Sequence, residues 1–167
     1  MKILYCSNTG HTARYAELLA RKTGLAPLPA SQAAEVAKGE EIVYLGWVFA
    51  DVIQGYKETC EGRNVVCVAA VGMNPGSSEN AKKLVAANGI SVPFFYLPGG
   101  VDYAKLKGVK RMMLRMVGKQ LAKEGKPENQ ALISVFQNGG DFVSEANLVP
   151  LLEFLAQRLQ PAMGQGL

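Results

Sequence analysis

Short apolar runs of strand length alternate with stretches of helical periodicity along this 167-residue chain. The predicted strands are 2–6, 25–28, 41–48, 64–71, 92–97 and, after a long interval, 131–136. The predicted helices are 11–23, 31–37, 53–60, 78–88, 103–123 and 148–159. Strand 64–71 is apolar throughout after Asn64, which is typical of a strand that is covered on both faces. The alternation predicts an α/β protein: a single-domain, doubly wound, five-stranded parallel sheet over residues 1–167.

Three loops stand out because each follows a predicted strand and has a distinctive composition. The loop after the first strand is rich in Ser, Thr and Gly, and those after strands 41–48 and 64–71 are rich in Gly, Trp or Asn. In the strand order 2-1-3-4-5, strands one, three and four are neighbours at the switch point, where ligands bind against the carboxyl ends of strands. We therefore predict this order, with the three loops meeting at one site.

The loop between the first strand and the first helix has the chemistry of an anion site. Ser7, Thr9 and Thr12 carry hydroxyls that can donate to phosphate oxygens, and Gly10 lets the backbone come close to a ligand. The first amides of the following helix have no partner within it, and the helix dipole favours negative charge there. The sequence thus predicts a phosphate-bearing ligand, with a plain helix-capping turn as the alternative.

Other phosphate chemistries do not fit this loop. No Gly-Lys-Ser/Thr follows at the spacing of a Walker loop, and the Gly-x-Gly-x-x-Gly pattern of dinucleotide-binding turns is absent. A cysteine phosphatase would need an arginine six residues after Cys6, where Thr12 stands, and a phospho-receiver domain would need a carboxylate at the end of the first strand. The remaining possibility is a site, without a cation, that holds a terminal phosphate rather than cleaving it.

Positive charge is concentrated in one stretch of the chain. The net charge is +4, and residues 105–126 contain eight basic residues opposed only by Glu124. Apolar residues recur there at helical spacing, which predicts one face that either packs on the domain or binds a partner or an anionic membrane surface. Nucleic acid is not an expected partner, because no aromatic or base-reading pattern accompanies the charge.

The cysteines and the apolar runs bear on the compartment. Three cysteines without metal-ligand spacing are typical of free thiols in a reducing compartment, and no metal site is expected. No apolar run is long enough to span a bilayer, and the N-terminus does not resemble a signal peptide. We expect a cytoplasmic protein.

The first segment resembles the signature of the flavodoxin family. That resemblance rests on Ile3, Leu4 and Tyr5, then Ser7, Gly10, Thr12, Ala16 and Leu19 at these spacings. It implies the 2-1-3-4-5 fold and one non-covalently bound FMN, whose phosphate would be wrapped by Ser7, Asn8, Thr9, Gly10, His11 and Thr12. The flavin ring would lie between two loops, which contain Gly46, Trp47, Val48, Phe49, Gly72, Met73 and Asn74. Either Trp47 or Phe49 would stack on the ring.

A second resemblance involves the third quarter of the chain. Residues 99–103 and 110–116 are similar to the insert of bacterial menaquinone-dependent protoporphyrinogen oxidases, flavodoxin-like proteins whose fifth strand is split by a basic helical insert. This implies an insert over about 99–130, with the fifth strand resuming at 131–136.

Two functions follow from the resemblances. One is an FMN-binding electron-transfer protein that serves redox partner proteins, namely a reductase and an acceptor enzyme. The alternative is an FMN-dependent oxidoreductase of the quinone-linked type, peripheral on the inner face of the membrane through residues 103–126. Neither needs a side-chain acid, base or nucleophile, because the flavin carries the chemistry.

Overall fold

The structure is a computed structural model that describes residues 1–73 and 78–160. Its strands are β1 (Lys2–Cys6), β2 (Ala26–Pro29), β3 (Glu41–Phe49), β4 (Val52–Ile53), β5 (Asn64–Gly72), β6 (Phe94–Pro98), β7 (Gly100–Val101) and β8 (Gly140–Asp141). Its α-helices are α1 (His11–Thr23), α2 (Tyr56–Cys60), α3 (Ser78–Asn88), α4 (Gly108–Glu124), α5 (Gln130–Asn138) and α6 (Val149–Leu159). Short 3₁₀ helices occupy Ala30–Glu35, Pro127–Asn129 and Glu145–Leu148.

Five of these strands form a parallel sheet in the order β2-β1-β3-β5-β6. Counted over the long strands alone, this is the predicted order 2-1-3-4-5, and the fold is flavodoxin-like in general kind. β4 turns back antiparallel against the end of β3. Because β1, β3 and β5 are neighbours, their carboxyl ends meet at one edge of the sheet.

Helices cover both faces of the sheet, as the continuous apolar character of β5 predicts. Successive strand residues point to opposite faces, so Ile3 packs with Leu19 and Leu155 on one side, whereas Leu4 packs with Tyr44 and Leu84 on the other. All six side chains are at most 1% exposed. Two buried layers therefore fix the sheet register and hold the loops at its carboxyl edge.

The prediction that the fifth strand resumes at 131–136 is wrong, because these residues lie in helix α5. A short apolar run fits a buried helix as well as a strand, and here Ile133 and Phe136 are buried at helical spacing. The chain instead returns at β8, which pairs antiparallel with β7 directly after β6. We call residues 102–139 the insert; the two short strands join its ends, so it is longer than the predicted 99–130.

Two helix predictions also differ from the structure at their starts. Residues 103–107 form a turn before α4, in which the Asp102 carboxylate accepts from the amide of Ala104. The predicted helix 53–60 begins only at Tyr56, because Val52 and Ile53 pair with β3. In the part of the chain that the structure describes, no helix combines the length and apolarity needed to cross a membrane.

Candidate functional site

The loops that follow β1, β3 and β5 line one cleft at the carboxyl edge of the sheet. The predicted residues that form its walls are Ser7, Asn8, Thr9, His11, Thr12, Trp47, Val48, Phe49, Gly72 and Met73. Gly10 and Gly46 are not among its walls: Gly10 borders a second, polar cavity on the outer side of the loop, and Gly46 packs against Ile53. Asn74 lies outside the described residues. The sheet order thus brings together residues that are distant in sequence.

One end of the cleft is the N-terminus of α1. Gly10 is the N-cap residue of α1, and its φ of 102° is a conformation that favours glycine. No side-chain hydrogen bond from the N-cap position caps the helix. The Ser7 hydroxyl accepts from the amide of Ala13 at 3.3 Å. The proton of the Ser7 hydroxyl can therefore be donated into the cleft. The Thr9 hydroxyl can donate there too when its proton is not directed at His11.

Thr12 is the most deeply buried polar residue of this loop. It is 1% exposed and lines the cleft. Among residues 1–73 and 78–160, nothing hydrogen-bonds to its hydroxyl, yet the hydroxyl is not sealed from solvent. The little surface that Thr12 retains therefore faces the cleft, and a ligand is the natural partner of this hydroxyl.

His11 lies beside the loop with most of its ring buried. Its Nδ1 is 3.1 Å from the Thr9 hydroxyl, and its Nε2 is 4.0 Å from Oδ1 of Asp141. Burial lowers the pKa of His11, against the opposing effect of the Asp141 carboxylate, so the ring is neutral at pH 7. Sequence reasoning found no acidic neighbour for His11, because Asp141 comes from β8 at the far end of the insert.

Asp141 is held by Arg14 of α1, whose guanidinium lies 2.5 Å from its carboxylate. Partial burial would raise the pKa of Asp141, but the hydrogen bond and charge of Arg14 outweigh it and hold the pKa below its ordinary value. Asp141 is therefore ionised at neutral pH. The pair joins the return strand of the insert to the first helix.

The other end of the cleft is aromatic. The rings of Trp47 and Phe49 lie 5.8 Å apart at an angle of 46°, and Nζ of Lys110 lies 4.6 Å from the Trp47 ring centre. Cys6 is next to Trp47; burial raises the pKa of its thiol although a hydrogen bond with Trp47 lowers it. Cys6 is therefore a thiol at neutral pH, not a nucleophile.

The insert closes the cleft, which sequence reasoning did not predict. Leu106 and Leu114 of the insert, Gly100 and Val101 of β7, and Val71 of β5 complete the walls. The volume of the cleft is only about 50 Å³. Because Leu106 and Leu114 narrow the cleft, a flat ring system entering beside Trp47 must displace the insert.

A cation of the insert lies over the outer side of the first loop, at the polar cavity that Gly10 borders. Nζ of Lys105 is 3.7 Å from the position that a Cβ would occupy on Gly10. The basic stretch 105–126 is the only sign of this lysine in the sequence. Nothing in that stretch indicates which of its lysines contacts the first loop.

No protein-family model matches the chain, and no curated protein matches it. The fold defines its class: an α/β protein with a parallel sheet of flavodoxin-like order, with a cleft at the carboxyl ends of β1, β3 and β5.

Proposed function

We propose that this protein binds FMN non-covalently in the cleft and transfers electrons between redox partner proteins, as flavodoxins do. The observation that carries the proposal is the hydroxyl of Thr12 at the N-terminus of α1, which opens to the cleft and has no hydrogen-bond partner among residues 1–73 and 78–160. The aromatic rings of Trp47 and Phe49 line the same cleft. A phosphate suits the first end and a flat ring system suits the second.

The residues of the cleft fit both parts of FMN. The hydroxyls of Ser7, Thr9 and Thr12 and the first amides of α1 are donors for phosphate oxygens. Trp47 and Phe49 offer flat apolar surface to the ring. Bound FMN supplies the electron-transfer chemistry, and the protein binds it, orients it and excludes water. No residue of this chain needs to exchange a proton or form a covalent bond.

A spectroscopic titration tests this proposal, because Trp47 is the only tryptophan of the chain. We expect purified protein mixed with FMN to retain flavin absorbance after gel filtration, and the fluorescence of Trp47 to be quenched as FMN binds. A protein that leaves the column colourless, with Trp47 emission unchanged, would contradict the proposal.

Thr12→Val keeps the shape of the side chain and removes its hydroxyl. Hydrogen bonds to charged groups contribute about 1.5–3 kcal/mol, so FMN affinity should fall about tenfold or more. Thr23→Val is the matched control, because the Thr23 hydroxyl bonds to the Leu19 carbonyl at the opposite end of α1. That control should bind FMN as the wild type does.

The surface of α4 favours the alternative, a quinone-linked FMN-dependent oxidoreductase of the protoporphyrinogen oxidase type that is peripheral on a membrane. An apolar stripe at helical spacing lies exposed on α4: Val109, Met112, Met113, Met116 and Val117. Basic residues flank the stripe, and Gly118 is the buried residue of this helix. The sequence left two alternatives for this apolar face: packing on the domain, or binding a partner or a membrane. The exposed stripe does not pack on the domain. Its character suits an anionic lipid surface or a partner protein.

Vesicle binding discriminates between these two functions. Under the alternative, the protein sediments with vesicles that contain phosphatidylglycerol and not with pure phosphatidylcholine vesicles. Met112→Ser combined with Met116→Ser should then reduce sedimentation while FMN stays bound. Leu159→Ser, which replaces an exposed apolar residue at the end of α6, should leave sedimentation unchanged. A wild-type protein that ignores both kinds of vesicle speaks for the electron carrier.

A further inference from the structure

We propose that Lys105 of the insert is the cation that contacts the cofactor phosphate. This inference rests on the proposed FMN site and adds to it a residue that determines specificity for the phosphorylated flavin.

The segment that carries Lys105 is fixed on both sides. The amides of Lys105 and Leu106 donate to the backbone carbonyl of Asp102. The carboxylate of Asp102 accepts from the amide of Ala104. Leu106 is 4% exposed and packs with Val101. The backbone of residue 105 is thereby held above the first loop, and only its side chain is mobile.

The ammonium of Lys105 lies close to the positive end of a helix dipole. Nζ of Lys105 lies over Gly10, the residue that precedes α1, and the N-terminus of a helix carries partial positive charge. The first turn of α1 contains no acidic residue that would offset the lysine. Its one close counter-charge is Asp102, at 3.6 Å. Lys105 and Gly10 line the polar cavity on the outer side of the loop, and Thr12 lines the cleft. A phosphate bound to the Thr12 hydroxyl and the helix amides would attract this exposed side chain across Gly10.

Arg14, the other cation near this loop, is already engaged. Its guanidinium lies 2.5 Å from Asp141, whereas the pair of Lys105 with Asp102 is longer and solvent-exposed, hence weak. Lys105 can therefore exchange its carboxylate for a phosphate at little cost.

The test compares FMN with riboflavin, which differ in the phosphate. Titrations of Trp47 fluorescence would be made on the full chain for the wild type, Lys105→Gln and Lys105→Arg, with Lys107→Gln as the matched control. We expect Lys105→Gln to weaken FMN binding about tenfold at low salt, a loss of the size of one charge-assisted hydrogen bond. Riboflavin binding should stay within twofold, and Lys105→Arg should retain most of the affinity for FMN.

Salt gives an independent readout. At about 1 M ionic strength charges are screened beyond about 3 Å, so the difference between the wild type and Lys105→Gln should shrink to less than threefold. Asp102→Asn, which keeps an acceptor for Ala104 and removes the competing charge, should bind FMN more tightly than the wild type.

Three results would overturn the role of Lys105: Lys105→Gln binding FMN as the wild type does, an equal loss for FMN and riboflavin, or a loss that high salt leaves intact. Each of these leaves the FMN site standing. If the wild type binds no FMN at all, the proposed function fails and the role of Lys105 fails with it.

Discussion

The buried side chain of Asn88, the last residue of α3, donates a hydrogen bond to the backbone carbonyl of Asp51 at 2.8 Å. The same carboxamide accepts from the amide of Ile53, also at 2.8 Å. Asn88 therefore ties the β3–β4 hairpin to the neighbouring helix. This hairpin directly follows Trp47 and Phe49, so the position of the aromatic wall depends on a residue outside the cleft.

Asn88→Ala should destabilise the protein strongly. It leaves the amide of Ile53 and the carbonyl of Asp51 without their partner, and each buried unsatisfied group costs about 1–3 kcal/mol. We expect the free energy of unfolding, measured in urea, to fall by about 2–4 kcal/mol. Asn64→Ala is the control, because its side chain bonds to the carbonyl of Gly39 at the surface, and its loss should stay below about 1 kcal/mol. Equal losses in the two variants would contradict the bridging role of Asn88.

The tip of the same hairpin is strained. Ala50 and Asp51 have φ values of 49° and 60°, in the left-handed region where turns of this kind normally place glycine or asparagine. Ala50→Gly should relieve strain and stabilise the protein by about 0.5–1 kcal/mol after the entropy cost of glycine. Ala156→Gly, the same change within the regular helix α6, should destabilise it by about 1 kcal/mol. A thermal melt in which both variants lose stability would show that the tip is not strained.

Features set by neighbouring residues could be predicted from the sequence. β1, the first loop and α1 lie where the apolar pattern and the Ser/Thr/Gly composition place them, because a strand, a turn and a helix start are local. The convergence of three loops also followed, since the strand order places them at one edge. Most of the site residues that sequence reasoning missed come from the insert and from the short strands β7 and β8 at its ends.

An insert was predicted, but its helix α5 and its contacts with the first loop were not, for two physical reasons. Its apolar run 131–136 has no flanking glycine or proline to distinguish a strand from a buried helix, so periodicity alone could not decide. Lys105 and Asp141 reach the first loop only because β7 and β8 pair and carry the ends of the insert back to α1. Such contacts depend on the packing of distant segments, and single-residue composition contains no signal for them.

His11 predicts a dependence of stability on pH. Burial lowers its pKa in the folded state below the ordinary value of 6.5, so below that pH the unfolded chain binds a proton that the folded chain does not. Stability should therefore fall as the pH decreases from 7.5 through 6.5 toward 5.5, with a slope of up to about 1.4 kcal/mol per pH unit. His11 is the only histidine, so His11→Gln should remove this contribution and leave the effect of the carboxyl groups. Urea unfolding of both proteins at several pH values measures the difference, and parallel profiles would mean that His11 is not held neutral.

The contact between the two helices of the insert gives the last prediction. A Cβ on Gly118 would lie 2.7 Å from Cβ of Phe136, so α4 approaches α5 too closely for any side chain at this position. Gly118→Val should overpack the contact and cost about 2 kcal/mol. Since the insert is joined to the sheet through β7 and β8 and not through the core layers, this cost should appear as local opening.

Hydrogen exchange shows which segments lose stability in Gly118→Val. Amides of α4 and α5 should exchange about thirtyfold faster in Gly118→Val, whereas those of α1 and β5 should keep their wild-type rates. Met116→Val, which introduces the same β-branched residue at an exposed position of α4, controls for helix propensity and should change exchange by less than about threefold. If α1 and β5 were accelerated as much as α4, the insert would unfold only together with the sheet, and it could not open separately to admit a ligand to the cleft that it covers.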